Sequence, residues 1–286
     1  MTPEGRSPLA TWVDWQTPAP TVRAPWGLLF HTTGRGLPAK AARTGRPVLE
    51  LALDTYRKSQ DGRLHGYKVD PKTGKVTGYR WGGPTYVLPH DGKLIQVADE
   101  RIMTHHCGGP GARALYVSGK WVEKSSPQMV ARWHAQWGPK YRHPNQLFPS
   151  STPNVDYVGV EMIPCGSGLG EPMRPGLLFT EAQHRTCAAL AVDMGARYRW
   201  PAGWWRTPRL LGHEDVQPLP TTEYAFGRGD AKGGWDPGFL RAQPFFDFDF
   251  VRDLVGDAHN TSAGHLDRAA ELLARAARDV AGVFDT

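Results

Sequence analysis

The stretch GLLFHTTGRG, residues 27–36, decides how the chain is read: a short apolar run ends on His31 and breaks at once into Thr32-Thr33-Gly34-Arg35-Gly36. An apolar run of this length, bounded by turn residues, predicts a buried strand. VRAPWGLLFH (22–31) then delivers an imidazole to the lip of a Gly-rich loop. LLGHEDVQP (210–218) has the same grammar, an apolar run followed by His213 and a loop. YVGVEMIP (157–164) reads as a further strand, with Glu161 near its end.

Working outward, PVLELALDTYRK (47–58) predicts a helix with Val48, Leu49, Leu51, Ala52 and Tyr56 as its buried stripe. TYVLPHDGKLIQVA (85–98) predicts a hairpin, because Asp91-Gly92 is a favoured two-residue turn between apolar runs. TEAQHRTCAALAVDMGARY (180–198) predicts a helix whose Thr180 and Gln183 are spaced as a capping box. The first twenty residues, rich in Pro and Thr, read as an extended arm. Residues 107–155, rich in Gly, Pro, Trp and Tyr, read as a long elaboration beside the functional face, with a helix around 127–137. SAGHLDRAAELLARAARDVAGVF (262–284) reads as an amphipathic helix, with Leu266, Ala269, Leu273, Ala276 and Val280 on one stripe packed on the domain. The resulting division is 1–256 for one folded unit and 257–286 for a helix packed on or appended to it.

Composition narrows the class. With 40% hydrophobic and 22% charged residues, the 286-residue chain can bury a sizeable core. Glycine (33) and proline (25) favour many loops and short strands over a helical bundle. The net charge of +6 suits an acidic polymer such as a bacterial cell wall, nucleic acid or anionic lipid. No basic run interleaved with aromatics resembles a nucleic-acid motif, so nucleic acid is not the expected partner. No run reaches the roughly 20 apolar residues of a membrane span. The N-terminus MTPEGRSPLATWVDWQ lacks the apolar core of a signal peptide. Cys107, Cys165 and Cys187 are too few and too irregular for a disulfide framework or a CxxC metal site.

Four polar residues end apolar segments: His31, Glu161, His213 and, in WDPGF, Asp236. Hydrolytic zinc sites draw three protein ligands from His and carboxylates and leave a fourth position open. Taken singly, each of these histidines reads as a structural or surface residue. Their order along the chain raises the stronger reading.

That order (VRAPWGLLFHTTG, the hairpin around Asp91-Gly92, THHCG, YVGVEM, TEAQ, GHEDVQP and WDPGF) resembles the zinc-dependent N-acetylmuramoyl-L-alanine amidases that share a fold with peptidoglycan recognition proteins. The resemblance spans most of residues 22–245, and GHEDVQP and YVGVEM are its most specific pieces. It implies an α/β fold, a central mixed β-sheet flanked by helices. It implies one Zn²⁺ held by His31, His213 and Asp236, with Glu161 deprotonating the attacking water. Asp215 would anchor its own loop, and His106 would line the cleft and bind substrate. Lys232 stands for the family's oxyanion-stabilising lysine. Two departures bear on the carboxylate ligand. TTEYAFGRGD (221–230) separates His213 from Asp236 where relatives are close-spaced, and it makes Asp230 a competing ligand. Lys232 also lies further ahead of Asp236 than the family spacing. In the hairpin, Thr85 replaces a histidine common in relatives.

The implied reaction is hydrolysis of the amide between N-acetylmuramic acid and the L-alanine of the stem peptide, on peptidoglycan or its muropeptide fragments. The same resemblance admits a non-catalytic peptidoglycan-binding module. Without a leader, a cell-wall hydrolase synthesised in the cytoplasm needs a lysis or secretion machinery to reach the wall, as a phage endolysin or a secreted antibacterial effector does. A recycling enzyme acting on wall fragments does not.

Overall fold

The computed structural model describes residues 5–13, 24–33, 36–60, 83–104, 106, 146–150, 153–165, 170–216 and 246–260, with short stretches between 68 and 140. Six strands form one sheet: β1 (Thr11–Trp12), β2 (Gly27–Thr32), β5 (Tyr86–Leu88), β6 (Ile95–Gln96), β9 (Tyr157–Met162) and β10 (Leu210–Gly212), in the order β1-β6-β5-β9-β2-β10. β5 and β6 are antiparallel and every other neighbouring pair is parallel. The remaining strands form two separate ribbons, β3 (Lys68–Val69) with β4 (Val76–Gly78) and β7 (Tyr116–Val117) with β8 (Lys120–Trp121). The helices are α1 (Gly36–Thr44), α2 (Val48–Gln60), α3 (Pro153–Asp156), α4 (Glu181–Arg197), α5 (His213–Val216) and α6 (Phe248–Asn260). This is the α/β mixed sheet with flanking helices that the sequence predicts.

Strand β2 has parallel neighbours on both sides and is buried along its whole length. That is why GLLF is a continuous apolar run with no polar alternation. Side chains still alternate between faces. Leu28, Phe30, Val158, Val160, Met162 and Leu210 join the core formed with α4 and α6. On the opposite face Leu29, Tyr157 and Leu211 pack with Trp137, Leu147, Phe148 and Val216. A separate cluster there sets Val48 and Ala52 of α2 against Val87, Ile95 and Val97. His31 and Glu161 have the parity of this second face and belong to neither cluster.

The capping box forms as predicted: Thr180 accepts from the Gln183 N–H, and Gln183 reaches back to the Thr180 N–H. Gln183 Nε2 also donates to the carbonyls of Leu88 (3.2 Å) and Ile163 (2.7 Å), tying α4 to the exits of β5 and β9. The hairpin forms with a different turn. Tyr86 faces Gln96 and Val87 faces Ile95, a register that centres the reversal on Asp91. The turn is Pro89–Gly92, closed by the Gly92 N–H on the Pro89 carbonyl (3.0 Å), with Gly92 left-handed at φ +76°. A Pro89–Gly92 turn with glycine in its last, left-handed position replaces the expected two-residue turn at Asp91-Gly92.

Thr11–Trp12 of the N-terminal arm belong to the sheet. β1 pairs parallel with β6, Ser7 N–H donates to Gln96 Oε1 (2.9 Å), and Ser7 Oγ donates to Asp193 of α4 (2.8 Å). Helix α6 runs unbroken across 256–257, where the sequence reading divides the chain. The amphipathic stretch 262–284 lies outside the described residues. Cys165 and Cys187 are free thiols.

Candidate functional site

Three parallel strands bring the first part of the site together. His31 and Glu161 are register partners across β2 and β9, so their side chains leave adjacent backbones on the same face. β10 pairs with the other side of β2, with Gly212 opposite Phe30, and the chain then delivers His213. The His31 and His213 rings lie 4.5 Å apart, centroid to centroid. All three residues stand at the C-terminal ends of parallel strands, where open α/β sheets form their crevices. His31 is 2% exposed and His213 8%, whereas Glu161 is half-buried.

His213 sits at the junction between β10 and the single helical turn α5. Asp215 makes that junction. Its Oδ2 accepts the Gly212 N–H (2.9 Å) and its Oδ1 accepts the Trp137 indole N–H (2.8 Å). Burial pushes its carboxyl up to about 7, opposed by the Trp137 and Gly212 hydrogen bonds and by Arg252. Asp215 thus anchors its own loop, as the motif implies.

His106 is 8% exposed and packs at an edge-to-face angle on His31. His31 Nε2 and His106 Nδ1 are 2.9 Å apart, and His106 Nε2 lies 3.1 Å from the Tyr157 carbonyl oxygen. The ring lies over Gly159. A Cβ on that residue would come within 2.4 Å of His106 Cγ and 2.7 Å of its Cβ. A glycine inside a strand marks this kind of close approach. That signal was present in YVGVEM, but the partner it makes room for lies about fifty residues away. Thr85, in the position where relatives carry a histidine, is buried, its hydroxyl 3.3 Å from that of Thr104.

His31, Glu161, His213 and His106 are therefore neighbours. Asp236, Asp230 and Lys232 lie outside the described residues. Among the described residues no group of three or more His, Cys, Asp or Glu side chains stands where it could hold a metal ion. His31 and His213 bring two buried imidazoles together, ring nitrogens of the kind divalent cations take, and the Glu161 carboxylate leaves the neighbouring strand on the same face. No described helix is long and apolar enough to cross a membrane.

No family model and no curated protein matches the chain. A solved structure, the crystal structure of a selenomethionine derivative of AmpD, is similar at 17% identity with a TM-score of 0.45, over 89% of this chain and 99% of that one. Likeness of that degree carries no chemistry with it; the chemistry of the site lies in its own residues.

Proposed function

We propose that the protein is a zinc-dependent N-acetylmuramoyl-L-alanine amidase acting on peptidoglycan. The observation that carries this reading is the convergence of His31, Glu161 and His213. They come from three distant segments, and the resemblance gives two of them to the metal and one to the attacking water. His31 and His213 would hold the metal through neutral imidazoles, with Asp236 as the carboxylate ligand and Asp230 as its competitor. When bound, Zn²⁺ supplies Lewis acidity toward the amide carbonyl and lowers the pKa of water toward about 7.

The remaining work belongs to the side chains. Glu161 is the register partner of His31 on the neighbouring strand and is half-buried, with its Oε2 shielded from solvent. It would take a proton from the attacking water and return it to the leaving amine of L-alanine. Lys232 would donate to the oxyanion, His106 would line the cleft, and the net positive charge would favour an anionic wall polymer. One-sided cleavage of this bond leaves the stem peptide intact with a free N-terminal L-alanine.

Mass spectrometry of sacculi digested with the purified protein tests the reaction. Intact stem peptides with a free L-alanine amine are expected, and products cut within the peptide or the glycan would overturn the reading. Glu161→Ala is expected to lower the rate on the order of 10²–10⁴-fold, the usual worth of a general base, with bound zinc retained. Full activity in that variant would remove Glu161 from the mechanism. Retention of protein on sacculi without any product would favour the non-catalytic module.

A further inference from the structure

We infer that His106 is a positioning residue for His31: it holds His31 as the Nε2–H tautomer and leaves Nδ1 as the nitrogen bearing the lone pair. A chain of hydrogen bonds leads there from a group of known polarity. The Tyr157 carbonyl can only accept, so His106 Nε2, 3.1 Å away, is the donor and carries hydrogen. In a neutral imidazole the other nitrogen is then an acceptor. That nitrogen, His106 Nδ1, faces His31 Nε2 at 2.9 Å, so His31 Nε2 carries the hydrogen between them.

Two alternatives meet obstacles in the structure. A doubly protonated His106 would reverse the bond to His31, but it would place an imidazolium at a position only 8% exposed, against a second ring. His106 as a metal ligand in its own right would make a three-imidazole centre with His31 and His213. Its Nδ1 is already spent on His31 Nε2 at 2.9 Å and its Nε2 on the Tyr157 carbonyl at 3.1 Å, so neither ring nitrogen is turned to a cation beside His213. The room for His106 comes from Gly159, since any side chain there would collide with the root of the imidazole. Strand β9 thus provides both the carbonyl that orients His106 and the gap in which it lies.

The consequence concerns metal affinity. A ligating imidazole must offer an unprotonated nitrogen, and the hydrogen bond on its other nitrogen selects which one that is. His106 would therefore raise the fraction of His31 ready to bind and restrict its ring rotation. This use of the tautomer rests on the zinc amidase reading, whereas the tautomer itself does not.

The two can be tested separately on the full-length chain. Long-range ¹H–¹⁵N correlation spectra of histidine-labelled, metal-free protein at about pH 8, above the ordinary imidazole range, are expected to show His31 protonated at Nε2 and bare at Nδ1. A proton on His31 Nδ1 overturns the inference. In His106→Ala the two His31 tautomers should mix, and zinc affinity measured by chelator competition should fall about 10–100-fold. His106→Gln, which offers an amide oxygen and an N–H in place of the two ring nitrogens, should recover most of both. An unchanged His31 spectrum in folded His106→Ala also overturns it, and if that variant does not fold, the wild-type and His106→Gln spectra decide. Wild-type protein that shows the expected tautomer but binds no zinc would leave the assignment standing and remove the amidase reading.

Discussion

Burial sets the protonation state of His184, a histidine of α4 that the site does not use. Its Nδ1 donates to the Thr180 carbonyl (2.7 Å), its Nε2 accepts the Asp247 N–H (3.0 Å), and its ring stacks on Phe246 at 4.4 Å. Both nitrogens are committed in the neutral form, and desolvation is the main cause that lowers the pKa from 6.5 to about 4. The unfolded chain therefore takes up this proton first as the pH falls. Stability is full above about pH 6.5 and is lost progressively towards pH 4, by about 3 kcal/mol in all. Denaturation curves across that range should show the decline, and His184→Gln should reduce the slope by close to one proton. A variant with the wild-type slope would show that His184 is not the group responsible. By contrast, the positions of His31, His213 and Glu161 were legible as polar residues at the ends of apolar runs. The partner of His106 was not, because nothing near residue 106 points to residue 31.

Among the elements, β9 is where packing and site meet. It lies between β5 and β2, carries Glu161, and its Gly159 makes room for His106. Gly159→Ala is expected to destabilise the protein by about 1–3 kcal/mol, the usual cost of overpacking a filled core. It should also disturb the His31–His106 contact without removing either ring. Urea denaturation checks the first effect and the His31 spectrum the second; wild-type stability would mean that the ring shifts without cost. Local motifs were legible at this scale. The capping box of α4 needs only residues 180 and 183, and the burial of α2 at Val48, Leu51 and Ala52 follows its predicted stripe. The turn at Asp91-Gly92 was misread by a single position. Hairpin register is decided by the pairing of Tyr86 with Gln96 and Val87 with Ile95, and the dipeptide follows it.

At the scale of the whole molecule, one buried polar network joins the N-terminal arm, the hairpin and α4. Glu100, fully buried, receives two hydrogen bonds from Arg197 (2.6 and 2.7 Å), one from Tyr198 (2.6 Å) and one from Tyr86. Arg197 also bonds Asp193, which accepts from Ser7. Burial and the neighbouring Glu100 carboxylate push the Tyr86 phenol well above its ordinary range, while Arg197 opposes the shift. Arg197→Met would leave two buried carboxylates without their shared cation, and a loss of about 3–5 kcal/mol is expected. Chemical denaturation measures it, and a loss under about 1 kcal/mol, typical of an exposed pair, would show that the network is already compensated by the tyrosines and Ser7.

Sequence by itself determined what depends on neighbours along the chain. It set the strands from their apolar runs, α4 from its cap and amphipathic segments from their periodicity. It also placed two histidines and a glutamate at strand ends, since each is a pattern within a few residues. Tertiary structure decided what depends on contact at long separation. It chose the parallel order that sets Glu161 opposite His31, the arm's place as β1, and the Gly159 gap that brings His106 against His31. The physical reason is that a hydrogen bond or a packing gap between distant segments leaves no periodicity in either one. It exists only once the sheet has fixed their register.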